Sequence, residues 1–128
     1  MTRKELLREI EALPLKERVQ LQKDLERSVH EGRLRIHGIF AGYRDAMREI
    51  TGIDVVQRRR FHDLVIARSI VADRLHRDGF HDGDIAACLG LDRSTIYHCR
   101  TVVSDMLEAP RFYRQELEVY KQFKQITQ

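Results

Sequence analysis

Leu6, Leu7, Ile10 and Leu13 recur at the three-to-four spacing that puts side chains on one side of an α-helix. Thr2, followed three residues later by Glu5, is the pair that satisfies the unbonded N–H groups where a helix starts. Pro14 interrupts this run, and its fixed φ suits the first turn of a second helix, for which Val19, Leu21, Leu25 and Val29 form a less regular apolar set. A third amphipathic helix is expected over residues 33–50, from Leu34, Ile36, Ile39, Phe40, Tyr43, Met47 and Ile50, with Gly52 and Ile53-Asp54 ending it. After the basic loop Arg58-Arg59-Arg60, residues 62–78 place Leu64, Ala67, Val71 and Leu75 on one stripe with Val65 and Ile70 beside it, and Gly79 closes that helix.

The next stretch has the sharpest punctuation. Asp82-Gly83-Asp84 opens a very short helix bearing Ile85, Ala86, Cys88 and Leu89, Gly90-Leu91-Asp92 turns the chain, and Arg93 begins a helix with Ile96, Cys99, Val103 and Met106 inward. Short helix, tight turn and second helix over 82–107 have the spacing of a helix-turn-helix. Ala86 is small where two helices approach closely, Gly90 tolerates a left-handed backbone, and Asp92 is suited to cap the second helix. Pro110 stops that helix, and residues 112–126 supply a last one packing through Tyr113, Leu117, Tyr120 and Phe123.

Composition agrees with an all-α chain: 128 residues with 42% hydrophobic and 34% charged side chains, seven Gly and two Pro are enough for one ordinary core with a helical extension. The net charge of +3 says little, but its distribution says more. From Arg58 to Arg100 there are eight basic residues against six acidic, and all eight are Arg: Arg58, Arg59, Arg60, Arg68, Arg74, Arg77, Arg93 and Arg100. The planar guanidinium fork matches phosphate and guanine bidentately, so this stretch is suited to nucleic acid. With the second helix of the unit in a major groove, Arg93, Ser94 and Tyr97 point to base edges, with Thr95 at the margin and Arg100 one turn on.

Residues 60–100, with ARSIVADRL at 67–75, DIAACLG at 84–90 and DRSTIYHCR at 92–100, resemble the C-terminal DNA-binding domain of the bacterial replication initiator DnaA. The similarity extends over about Ile39 to Ile126, and its most specific part is the run formed by Asp92, Ser94, Thr95, Ile96 and His98. The resemblance implies a Trp repressor-like helical domain over 36–128, preceded by an N-terminal extension, 1–35, that packs on the chain or dimerises. It further implies that Arg60 enters a minor groove, that Arg68 and Ser69 contact DNA, and that Asp92, Ser94 and Thr95 read or adjoin bases, while His98 supports the helix or a phosphate. Two positions depart from the family pattern: Ser69 replaces its usual Gln, and Arg93 stands where it has a His packed on thymine. A guanidinium in place of an apolar contact to a methyl group alters base preference.

Other chemistries find no pattern. None of the five lysines follows a glycine, which removes the Gly-Lys-Ser/Thr core of a P-loop and with it ATP-driven DNA melting. The six His and two Cys lack the close pairing of zinc ligands, the carboxylates sit among Arg, and no nucleophile elbow occurs, so neither a metal, a cofactor, a small-molecule substrate nor an enzyme is expected. Cys88 and Cys99 read as small core residues. Without an apolar signal or spanning run, the expected setting is cytoplasmic, on the nucleoid. The expected function is sequence-specific double-stranded DNA binding in replication or its regulation. The alternatives are a dimeric transcriptional repressor of a host, phage or mobile element, and a helical adaptor or antitoxin acting through residues 1–30.

Overall fold

In a computed structural model that describes residues 2–128, the chain is all-α, with no strand among the described residues. The helices are α1 (Arg3–Glu11), α2 (Leu15–Thr51), α3 (His62–Arg77), α4 (Asp82–Leu89), α5 (Arg93–Glu108) and α6 (Arg114–Ile126), with a 3-10 turn at Pro110–Phe112. No helix among the described residues is long and apolar enough to cross a membrane. The chain divides into two compact units, Met1–Arg35 and Ile36–Gln128.

In the first unit, the start of α1 is the expected capping box: Glu5 N donates to Thr2 Oγ1 at 3.2 Å, and Thr2 N donates to Glu5 Oε2 at 3.3 Å. The second and third helices expected from the pattern are instead one continuous helix of 37 residues. Gly32 is the weak point between the two apolar sets, and a single interior glycine costs about 1 kcal/mol relative to alanine without ending a helix. Leu34 does not belong to the packing stripe: it is 59% exposed, whereas Ile36 is buried. Two residues turn a helix by about 200°, so these neighbours face opposite ways.

The second unit is built around α3. Ten of its sixteen residues are buried, so it is enclosed on most sides rather than along one stripe. Ile36, Phe40, Ala46 and Met47 of α2, Ile85, Ala86 and Leu89 of α4, Ile96, Cys99, Val103 and Met106 of α5, and Phe123 of α6 complete the core. Two glycine turns set its corners. Gly79 (φ 98°) ends α3, with Gly79 N bonded to His76 O and Phe80 N to Leu75 O, and Phe80 and Leu75 are both buried in the core. Gly90 (φ 68°) ends α4, with Leu91 N bonded to Ala86 O, and the chain enters α5 three residues later.

The segment after α2 is anchored by charge. Arg44 grips Asp54 with two hydrogen bonds of 2.7 Å, Arg48 adds a contact of 3.0 Å, and Val56 N donates to Asp54 Oδ1. The Arg44 fork outweighs the upward push of burial and, with smaller help from the Val56 N–H and the charges of Arg44 and Arg48, holds the Asp54 carboxyl well below the usual carboxylate range. Because the folded-state pKa lies below the unfolded one, this stabilisation is complete above the unfolded value of about 4 and is lost as pH falls below it. Thermal unfolding is therefore expected at lower temperature near pH 3 than near pH 6. In Asp54→Asn that difference should shrink, by no more than about 1 kcal/mol because the carboxylate is partly solvated. An unchanged acid response in the variant would show that the pair contributes nothing.

Candidate nucleic-acid interface

The α4 to α5 connection exposes the first turn of α5. Asp92, Arg93 and Ser94 are exposed, Thr95 is half-buried, Ile96 is fully buried, and Tyr97 is 65% exposed. This alternation follows from Ile96, Cys99, Val103 and Met106 locking one face of α5 into the core, which turns 93, 94 and 97 outward. Asp92 occupies the N-cap position, but its side chain makes no capping hydrogen bond; its backbone carbonyl accepts from Thr95 N at 3.0 Å instead. The cap expected of that carboxylate is therefore absent, and the first-turn N–H groups of α5 lack a side-chain acceptor.

A half-open cavity of about 480 Å³ lies beside this turn, lined by Arg60 and Arg68, by Ser94, Thr95, His98 and Cys99 of α5, and by Val65 and Leu91. It brings together four of the residues singled out in the sequence: Arg60, Arg68, Ser94 and Thr95. Arg58, Arg59 and Arg60 are exposed, and neither their side chains nor that of Arg93 form a hydrogen bond or ion pair among the described residues. Four guanidinium groups thus carry uncompensated charge in the loop and at the start of α5.

Three expected contact residues are placed differently. Arg68 is only 8% exposed and points into the protein. Its Nε donates to Val55 O at 2.9 Å, its Nη1 to Arg59 O at 3.5 Å, and its Nη2 to Gln57 O. Burial pushes its pKa down, with neighbouring Arg60 acting in the same direction. Its guanidinium therefore ties the basic loop to α3 rather than projecting to solvent, although its edge lines the cavity. Ser69 is fully buried and donates to Val65 O at 2.6 Å, the i−4 carbonyl, so no surface contact is open to it. Arg100 is engaged internally: its Nη2 meets Asp82 Oδ2 at 2.7 Å, its Nη1 lies 3.4 Å from His76 Nε2, and its guanidinium stacks over the Tyr97 ring at 5.3 Å. It joins α5 to α4 and α3, which fixes the orientation of the exposed turn.

The sequence pattern gave no sign of Gln57 as a loop anchor or of the triangle formed by His76, Asp82 and Arg100. Gln57 and Arg68, Asp82 and Arg100, and His76 and Arg100 are 11 to 24 residues apart, and nothing in local spacing connects them. His98, read as a supporting residue, is exposed and lines the cavity. Cys99 is buried, and burial pushes its thiol pKa up, which makes it an unreactive wall of the cavity. Comparison of the chain with protein-family models, curated proteins and solved structures finds no match.

Proposed function

We propose that the chain binds double-stranded DNA sequence-specifically through a helix-turn-helix formed by α4 and α5, similar to that of the DnaA C-terminal domain. In this reading the first turn of α5 enters the major groove. Arg93 meets a guanine edge, Ser94 and Thr95 meet neighbouring bases or phosphates, and Tyr97 packs on the groove wall. Arg58, Arg59 and Arg60 hold the backbone and an adjacent narrow minor groove. The N–H groups at the α5 N-terminus, free of a carboxylate cap, favour a phosphate.

The observation that carries the reading is that the cavity brings Arg60 together with Ser94, Thr95 and His98, while Arg58, Arg59 and Arg93, next to these residues in the sequence, are exposed and have no side-chain partner among the described residues. The role would lie in replication or its control and would need no nucleotide hydrolysis, for which this sequence carries no P-loop.

Selection from a random duplex pool, followed by binding of the selected site at graded salt, tests the proposal. The expected result is an enriched motif and an affinity that falls with salt at a log–log slope of roughly −3 to −4, set by about four phosphate or groove contacts. No enriched motif, or binding indifferent to salt, would overturn it.

A further inference from the structure

Tyr97 is 65% exposed on α5, and the guanidinium of Arg100, three residues on, lies over its ring at 5.3 Å from the centroid. Helical spacing brings the two side chains together, and contacts from other helices keep Arg100 there. Its Nη2 meets Asp82 Oδ2 of α4 at 2.7 Å, and its Nη1 lies 3.4 Å from His76 Nε2 of α3. The Arg100 and Asp82 side chains are only 25% and 20% exposed.

The pair is not arranged as the strongest bridge. An arginine and a carboxylate pair best through two parallel N–H···O bonds. Here Asp82 takes a hydrogen bond from a single Nη, while Arg100 Nε and Asp82 Oδ1 are buried with no hydrogen-bond partner among the described residues, His76 Nδ1 standing 3.5 Å from Oδ1. The bridge forgoes a hydrogen bond on each side, and its guanidinium covers the aromatic ring. We infer that Arg100, tethered by Asp82, is a positioning residue for Tyr97, and that Tyr97, held in one orientation, discriminates one base pair of the duplex. An exposed tyrosine free to change rotamer loses that freedom on binding, whereas a ring already held loses less and meets a base edge in one way. The inference rests on the proposed DNA-binding role, but its first test needs no DNA.

Because the sequence holds no tryptophan, Tyr97→Trp supplies a single fluorescent reporter, and a tryptophan face takes a cation at least as well as a tyrosine face. In the full chain without DNA, fluorescence anisotropy decay of this reporter should show little fast local rotation. Adding Asp82→Asn or Arg100→Met should raise the amplitude of that rotation about twofold or more. The second arm uses the duplex that the wild-type chain selects, with its single-base variants. Tyr97→Ala should lower discrimination at one base pair by about five- to tenfold, and Asp82→Asn and Arg100→Met should each lower it at that same pair. A ratio between duplexes is read because a change of net charge shifts affinity for all sequences alike. In a Tyr97→Ala background neither substitution should lower the ratio further, which separates positioning from direct contact. Thermal unfolding shows which variants keep the fold, and the same result is required of each that does. The reporter alone suffices if neither does, since Tyr97 is outside the core: large, fast rotation at this position would overturn the inference. So would rotation unaffected by the two substitutions, discrimination kept in their presence, or a further loss in the Tyr97→Ala background. A wild-type chain that selects no motif would overturn the DNA-binding reading and this inference together, whereas a selected motif with any of the preceding results overturns the inference alone.

Discussion

Arg93→Ala is expected to remove discrimination at one base pair of the bound site, about 1–3 kcal/mol between the preferred base and its competitors, while leaving affinity for unrelated duplex nearly as it was. The expectation rests on position: Arg93 is exposed at the start of α5, one turn before exposed Tyr97, and its guanidinium has no partner among the described residues. Arg60→Ala should behave differently. Arg60 comes from the loop and borders the cavity, so its loss should weaken binding broadly, most at sites with a narrow minor groove, without changing the preferred base at the Arg93 position, and lower the magnitude of the salt slope by about 1. Fluorescence anisotropy on a panel of single-base variants, at two or more salt concentrations, separates the two effects. Uniform weakening by both substitutions would show that Arg93 is only a phosphate contact and that the base code lies elsewhere.

Arg68→Met should have the larger effect on stability. The substitution keeps the volume of the stem but removes the donors that serve the carbonyls of Val55, Gln57 and Arg59, leaving them to partial hydration or to no partner. A destabilisation of about 2–4 kcal/mol is expected, read from denaturant midpoints at constant slope. DNA affinity should fall too, because the basic loop loses its tether. This indirect effect can be separated from a direct contact. In a background where Arg58, Arg59 and Arg60 are all alanine, Arg68→Met should weaken DNA binding no further, since the side chains it positions are gone. An additive loss in that background would show that Arg68 itself touches the duplex, as the resemblance to the initiator family implies.

Arg68 and Ser69 also show where sequence reading ends. A guanidinium in a helix that follows an arginine-rich loop carries the chemistry of a phosphate contact, and residue type cannot say which way it points. Its direction is set because α3 is enclosed on most sides, so its polar residues meet backbone carbonyls instead of solvent. Arg100 is similar: the acceptor that holds it, Asp82, lies 18 residues earlier on another helix. Asp92 failed in a smaller way. The residue type and the N-cap position were both legible, but the rotamer that closes a cap was not.

Local features were legible because local forces make them. The Thr2 and Glu5 capping box, the left-handed turn at Gly90 and the inward row Ile96, Cys99, Val103 and Met106 each depend on atoms within one or two turns. The exception among local features is α2. Its two apolar sets suggested two helices, but no breaker lies between them, and hydrogen bonding continues through Gly32 because propagating a helix costs less than ending it.

By itself, therefore, the amino-acid order determined that the chain is helical, where its sharp turns fall and which face of α5 meets the core, since propensity, capping and periodicity act over a few residues. Only the tertiary structure decided that Arg68, Ser69 and Arg100 are held inside while Arg60 and Arg93 remain outside. That division depends on which carbonyls and carboxylates the packed helices bring within hydrogen-bond reach, and such neighbours are distant along the chain.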